Sequence, residues 1–186
     1  MLTSIKEDIY RNRGDGYKSF SIRLKYVLHP INRYLYYLRK YQAAGHFWKF
    51  FWEVLLSVRK FRTGIQIPPQ TKIGRGLRLL HFGNIVVNPD AIIGDNFNIA
   101  QGCLIGNSFI KGVGGVPTIG NNVCMFANSI VVGGVKIGDD VLIAPGAFVN
   151  FDVPSNSIVI GNPGQIIKRE ESPTKKYIVY SVYDFK

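Results

Sequence analysis

The sequence predicts a mainly β fold, a parallel β-helix of six-residue repeats, standing behind a short α-helical head. Three observations carry that prediction. An aliphatic residue returns every six positions from Ile67 onwards, turn-forming residues follow it, and charge and aromatic content change abruptly near residue 65.

The head comes first. Residues 1–65 carry 13 Lys/Arg against 4 Asp/Glu, whereas the rest of the chain carries 10 against 8. The same stretch holds 14 of the 24 aromatic residues. "FSIRLKYVLHPINRYLYYLRKYQAA" spaces its apolar residues three and four apart, the period of a helix, and Pro30 interrupts it. Gly45 punctuates again before "HFWKFFWEVLLSVRKFR", where Phe47, Phe50, Phe51, Val54, Leu55 and Val58 form one helical stripe, widened by Trp48 and Trp52. Arg59, Lys60 and Arg62 suit the C-terminus of that helix, where the backbone dipole favours cations. A basic, aromatic, amphipathic helix packs on the body or on another subunit, or lies on an anionic membrane; residues 17–62 are the stretch available for such contact. The aromatics sit at packing spacings and no nucleic-acid motif accompanies the charge, so no nucleic-acid partner is expected.

The repeat occupies residues 65–169. Its aliphatic positions are Ile67, Ile73 and Leu79, then Val87, Ile93, Ile99 and Ile105, then Ile119, Met125, Val131, Ile137, Ile143 and Val149. A period of six is neither the 3.6 of a helix nor the 2 of a simple strand. A short strand with one inward aliphatic side chain, followed by a tight turn, satisfies it. The Gly, Asn and Asp residues of "IGRG", "IGDN", "IGNN" and "IGDD" take the turn conformations. Three strands make a triangular coil of about eighteen residues, and stacked coils bury a continuous apolar column.

Two interruptions break the period. Eight residues instead of six separate Leu79 from Val87, a slip of two across His81. Fourteen residues separate Ile105 from Ile119, so eight extra residues must leave the coil as a loop within 107–117. Insertions into a self-sufficient core are where function concentrates. Residues 170–186 form a tail, in which "KYIVYSVYDF" alternates like a strand and is suited to cover an open end of the coil stack.

Chemistry-bearing residues are few. Cys103 and Cys124 are too few for a disulfide framework and lack metal-ligand spacing; small buried thiols are the expectation, and no metal is expected. The N-terminus lacks the apolar core of a signal peptide and no window has the length of a membrane span, which makes a cytoplasmic protein the default. Of the three histidines, His29 and His46 sit in the helical head, while His81 stands in "LRLLHFGNIVVN".

That stretch, with "KIGRGLRLLHFGNIVVNPDAIIGDN", "GVPTIGNNV", "VVGGVKIGDDVLIAPGAFV" and "GNPGQIIKR", resembles the hexapeptide acyltransferases, specifically their serine acetyltransferase-like branch, over residues 64–169. The resemblance implies a left-handed coil, a homotrimer with active sites between adjacent β-helices, and acetyl transfer from acetyl-CoA to a hydroxyl. His81 occupies the position of the family's catalytic base. An imidazole is suited to take the hydroxyl proton during attack on the thioester carbonyl and to return it to the CoA thiolate. By the same resemblance, CoA runs past the turns at Ala127, Gly133 and Gly134, with Pro163 of the "GNPG" turn and Lys168 and Arg169 at the C-terminal end as further contacts.

Three departures bear on the acceptor. The serine enzymes have an Asp directly before the histidine and an Arg–His pair before the Pro that ends the loop; here stand Leu80 and Gly115–Val116. Fifteen residues before the histidine they have an orienting Asp, and here Gln66, whose amide oxygen is able to accept the imidazole N–H; a main-chain carbonyl is the alternative orienter. The short basic head, "GIQIP", "HFGNIVVN" and "KGVGGVPTIG" look more like the acetyltransferases of capsule, exopolysaccharide or lipopolysaccharide clusters. The expectation is therefore an O-acetyltransferase acting on a saccharide hydroxyl, free or lipid-linked. A serine O-acetyltransferase of cysteine biosynthesis and a non-catalytic β-helix scaffold are the alternatives.

Overall fold

The computed structural model describes residues 3–109 and 114–186. Four helices form the head: α1 (Thr3–Arg13), α2 (Phe20–Leu28), α3 (Pro30–Gln42) and α4 (His46–Thr63). Pro30 opens α3 at its first turn, where the missing N–H is not needed, and Gly64 ends α4 in the left-handed conformation.

The chain then coils. Strands β1 (Ile65–Gln66), β2 (Lys72–Ile73) and β3 (Arg78–Leu79) make the first turn of the coil. They are followed by β4 (Ile85–Val87), β5 (Ile92–Ile93) and β6 (Asn98–Ile99), and by β7 (Leu104–Gly106), β8 (Thr118–Ile119) and β9 (Cys124–Met125). Next come β10 (Ile130–Val132), β11 (Lys136–Ile137) and β12 (Leu142–Ile143), and finally β13 (Phe148–Val149), β14 (Ser157–Ile160) and β15 (Gln165–Lys168). Like strands stack in parallel into three faces: β1-β4-β7-β10-β13, β2-β5-β8-β11, and β3-β6-β9-β12-β14, the last closed by antiparallel β15.

The register is that of the six-residue period. Ile73, Ile93, Ile119 and Ile137 form one vertical ladder, and Leu79, Ile99, Met125, Ile143 and Val159 another. Val87, Ile105, Val131 and Val149 form the third. All of these are buried except Ile73, which is partly exposed and packs on the same core. The glycines of the "IG" turns allow the rungs to stack: a Cβ on Gly94 would lie 2.7 Å from the carbonyl carbon of Gly120.

The head closes the first coil. Ile31, Tyr34, Leu35 and Leu38 of α3 and Leu56 of α4 belong to the same buried cluster as Ile65, Ile67 and Ile85. A buried ion pair fixes the join: Arg39 Nε donates to Asp8 at 2.9 Å, and its guanidinium also donates to the carbonyls of Ile73 and Gly74. Arg11, fully buried, donates to Gly76 O and Asn98 Oδ1.

The tail does not cover an open end of the stack, nor is it a strand. It descends beside the third face, from the last coil back to the head. Ser172 donates to Asp140, Tyr177 O accepts from Asn98, Val182 N donates to Asn96, and Phe185 packs between Tyr10 and Tyr17. No partner strand pairs with it; Val182 is its buried anchor, and Tyr177, Tyr180 and Tyr183 remain exposed.

Candidate active site

His81 lies at the corner between β3 and β4. Here the chain spends five residues, Leu80–Asn84, between Leu79 and Ile85, where the next coil spends three between Ile99 and Cys103. The two extra residues are the slip in the sequence period. Leu80 N still donates to Ile99 O and Gly83 N to Thr63 O, so the bulge is pinned on both sides and pushes outward. His81 and Phe82 are consequently exposed. A satisfied core histidine is excluded, since the imidazole has no side-chain hydrogen bond or ion pair among the described residues.

The same corner recurs above. A Cβ on Gly83 would lie 3.2 Å from Gln101 Cβ, Asn128 N donates to Gln101 O, and Gly146 N donates to Ala127 O. The Gly161–Gly164 turn finishes the column, Gly161 O accepting from Phe148 N. Ala127 and Pro163 thus fall on the line of corners that begins at His81, a backbone-rich edge with small side chains along which a narrow ligand has room to lie.

Other expected residues fall elsewhere. Gly133 and Gly134 lie at the next corner, between β10 and β11, beneath the foot of the long loop. That foot is tied by paired backbone hydrogen bonds between Ser108 and Gly115, and a Cβ on Gly134 would lie 2.4 Å from Gly114 O. Residues 110–113 of the loop lie outside the described residues. The first face separates His81 from the loop foot within one chain, by roughly 10–15 Å of strand. Lys168 ends β15 and Arg169 follows it at the third corner, where Arg169 N donates to Asn156 O, one strand length from the Gly161–Gly164 turn. They do not converge with Pro163.

Gln66 points outward from β1 and no hydrogen bond joins it to His81. It lines a concavity of about 330 Å³ between α4 and the first face, with Tyr34, Leu56, Lys60 and Val86. Orientation of His81 by Gln66 is therefore not made within this chain. Tyr34, which sequence reading did not single out, braces that cavity: its hydroxyl donates to Ile67 O and accepts from Ile67 N, and burial pushes its pKa up to about 12.

Neither cysteine is placed for covalent catalysis. Cys103 is buried below Ile85, with Sγ 3.4 Å from Ser129 Oγ, and burial raises its pKa. Burial pushes the Cys124 thiol up to about 12. No group of three or more His, Cys, Asp or Glu among the described residues is placed to hold a metal ion. No helix among them is long and apolar enough to cross a membrane.

Comparison with known proteins follows this geometry. Residues 117–150 match the family described as bacterial transferase hexapeptide (six repeats). A serine acetyltransferase of Staphylococcus aureus (strain Mu50) is 36% identical over 142 residues, 76% of this chain and 63% of the relative. One of Staphylococcus epidermidis matches at the same identity and coverage. The chain thus spans 63% of the length of these curated relatives. Among solved structures, serine acetyltransferase of Brucella abortus superposes with a TM-score of 0.72 at 26% identity, covering 89% of this chain and 68% of that one. The Neisseria gonorrhoeae enzyme gives 0.70 at 27%, covering 94% and 69%; its structure in complex with serine gives 0.66 at 27%, covering 88% and 67%. These names do not support the resemblance to polysaccharide-cluster enzymes. In fold and in sequence, the chain is similar to hexapeptide-repeat acyltransferases of the serine acetyltransferase kind.

Proposed function

We propose that the chain is an acetyl-CoA-dependent O-acetyltransferase, with His81 as general base. The single observation that carries this is the bulged corner: two extra residues lift one imidazole out of an otherwise apolar repeat, at the position matching the family's base. In the reaction His81 takes the proton of an acceptor hydroxyl as the oxygen attacks the thioester carbonyl. The tetrahedral oxyanion collapses with loss of CoA thiolate, and the proton returns to sulfur. Backbone N–H groups of the glycine-rich corners are the natural donors to that oxyanion.

His81 and the loop foot occupy opposite edges of one face, so both reach a single reacting centre only if adjacent copies supply them. A homotrimer of left-handed coils, as the resemblance implies, provides that arrangement. Acetyl-CoA then lies along the corner column, past Ala127 toward Pro163.

L-Serine is the acceptor that the named relatives support, ahead of a saccharide. A saccharide hydroxyl remains the second reading on one observation: Leu80, Gly115 and Val116 carry no charge to hold an amino acid's ammonium and carboxylate. The test is thiol release from acetyl-CoA with L-serine and with a panel of sugars and nucleotide sugars. Turnover with serine supports the first acceptor, and turnover with sugars alone replaces it by the second. Failure to bind acetyl-CoA at all would overturn both and leave a β-helix scaffold.

A further inference from the structure

We propose that the groove between α4 and the first face is the acceptor pocket, in which Glu53 holds the ammonium and Lys60 the carboxylate of an α-amino acid. This assignment rests on the L-serine reading above and supplies the charges it lacks, since Leu80, Gly115 and Val116 carry none.

Helix α4 is one wall of the groove. It turns Leu56 into the core, while Phe47, Phe50 and Phe61 stay exposed on its other apolar face. At about 100° of helix per residue, Glu53, Ser57 and Lys60 fall within about 60° of one another, on one flank of Leu56. All three line the groove, about 330 Å³ in volume, whose buried members include Tyr34, Leu56 and Val87. The Tyr34 hydroxyl is committed to Ile67, which leaves the three α4 side chains with Gln66 and Gln70 to meet a ligand.

Charge selects the occupant. Neither Glu53 nor Lys60 forms an ion pair among the described residues. Their Cα atoms stand about 10 Å apart along the helix, a span that their long side chains are able to close on a molecule lying over Ser57. A phosphate or other simple anion is repelled by Glu53, and a neutral sugar leaves both charges unused. An amino-acid zwitterion satisfies both at once with charge-assisted hydrogen bonds.

Height in the coil stack supplies the base. His81 lies between β3 of the first coil and β4 of the second. Gln66 of β1 and Val86 and Val87 of β4 line the groove from the same two coils, at the opposite end of the first face. A threefold axis parallel to the stack preserves height, so the homotrimer brings a neighbour's His81 to the level of the groove. The loop foot lies one to two coils higher, roughly 5–10 Å at the spacing of stacked strands.

The experiment measures acetyl transfer by the whole protein to L-serine, to L-serinamide, which lacks the carboxylate, and to 3-hydroxypropionate, which lacks the ammonium. Equilibrium binding of L-serine is measured on the same samples. Lys60→Met is expected to lose at least tenfold in kcat/KM for L-serine and no more than threefold for L-serinamide. Glu53→Gln is expected to lose at least tenfold for L-serine and L-serinamide and no more than threefold for 3-hydroxypropionate. Both should weaken L-serine binding, with circular dichroism and oligomeric mass unchanged, because both side chains are exposed. Turnover of L-serine indifferent to both substitutions, or equal losses with every acceptor, would overturn the pocket and leave the acetyltransferase reading intact. A wild type that binds L-serine through both residues yet acetylates none of it would uphold the pocket and fail that reading. A wild type that neither binds nor acetylates L-serine would overturn the pocket.

Discussion

Placing His81 and the loop foot at opposite edges of one face makes a quantitative prediction about mixed assemblies. Take two variants, His81→Ala, which lacks the base, and Gly134→Val. A Cβ at Gly134 already falls 2.4 Å from Gly114 O, so a branched side chain must push the loop foot away. Each variant alone is expected to lose acetyl transfer by at least 100-fold, the low end of what a positioned base contributes. In a trimer whose sites take the imidazole from one chain and the loop from the next, a site is intact when the first chain has its histidine and the second its glycine. Random assembly of equal amounts makes that true at about one site in four. The mixture, refolded together, is therefore expected to recover about a quarter of wild-type thiol release. If both groups came from the same chain, every site would carry one lesion. Mixed trimers, verified by mass, that stay at the level of the parent variants would refute the intersubunit arrangement. A Gly134→Val chain of full activity would remove the loop foot from the site altogether.

Two further outcomes test the surroundings of the site. Arg39→Met strands the Asp8 carboxylate in the buried join between head and coil, a loss expected to cost about 3–5 kcal/mol. With a urea dependence of about 2 kcal/mol per molar, tryptophan fluorescence, which reports α4 alone because both tryptophans lie there, should show its midpoint fall by about 2 M. A midpoint unmoved within about 0.3 M would mean that the pair does not hold the head. Cys124, pushed up to about 12 by burial, presents about one thiolate in ten thousand at pH 8 and should resist alkylation in the native protein while reacting in urea. Cys103→Ser should keep acetyl transfer within about twofold, and its abolition would restore an acyl-cysteine route.

The coil was readable because its physics repeats. A residue that must point inward at every rung writes itself into the sequence every six positions; the break at His81 is a bulged corner, and at the other break the chain leaves the coil at a foot tied between Ser108 and Gly115. Local pattern also found the breaks at Pro30 and Gly45. What pattern could not supply was direction in space. The tail alternates like a strand, yet it runs down the coil as a strap, because its partners are side chains such as Asn96 and Asn98 more than 80 and 75 residues away. The stripe of α4 has helical period, but periodicity does not say which of two apolar faces meets the core. Lys168, Arg169 and the "GNPG" turn are close in sequence and sit at different corners, since a strand lies between them. Tyr34 and the cavity it braces had no local signal at all; a tyrosine in an aromatic helix gives no hint that its hydroxyl pairs with Ile67 thirty-three residues on.

The most direct test of the central claim is the rate of acetyl transfer by wild type and His81→Ala, measured with acetyl-CoA binding on the same samples. The account predicts a fall of at least 100-fold in kcat with the dissociation constant for acetyl-CoA unchanged within about threefold, because the imidazole acts on the acceptor proton and not on the nucleotide. A variant that turns over within tenfold of wild type would contradict it, and the exposed histidine at the bulged corner would then be no more than a surface residue.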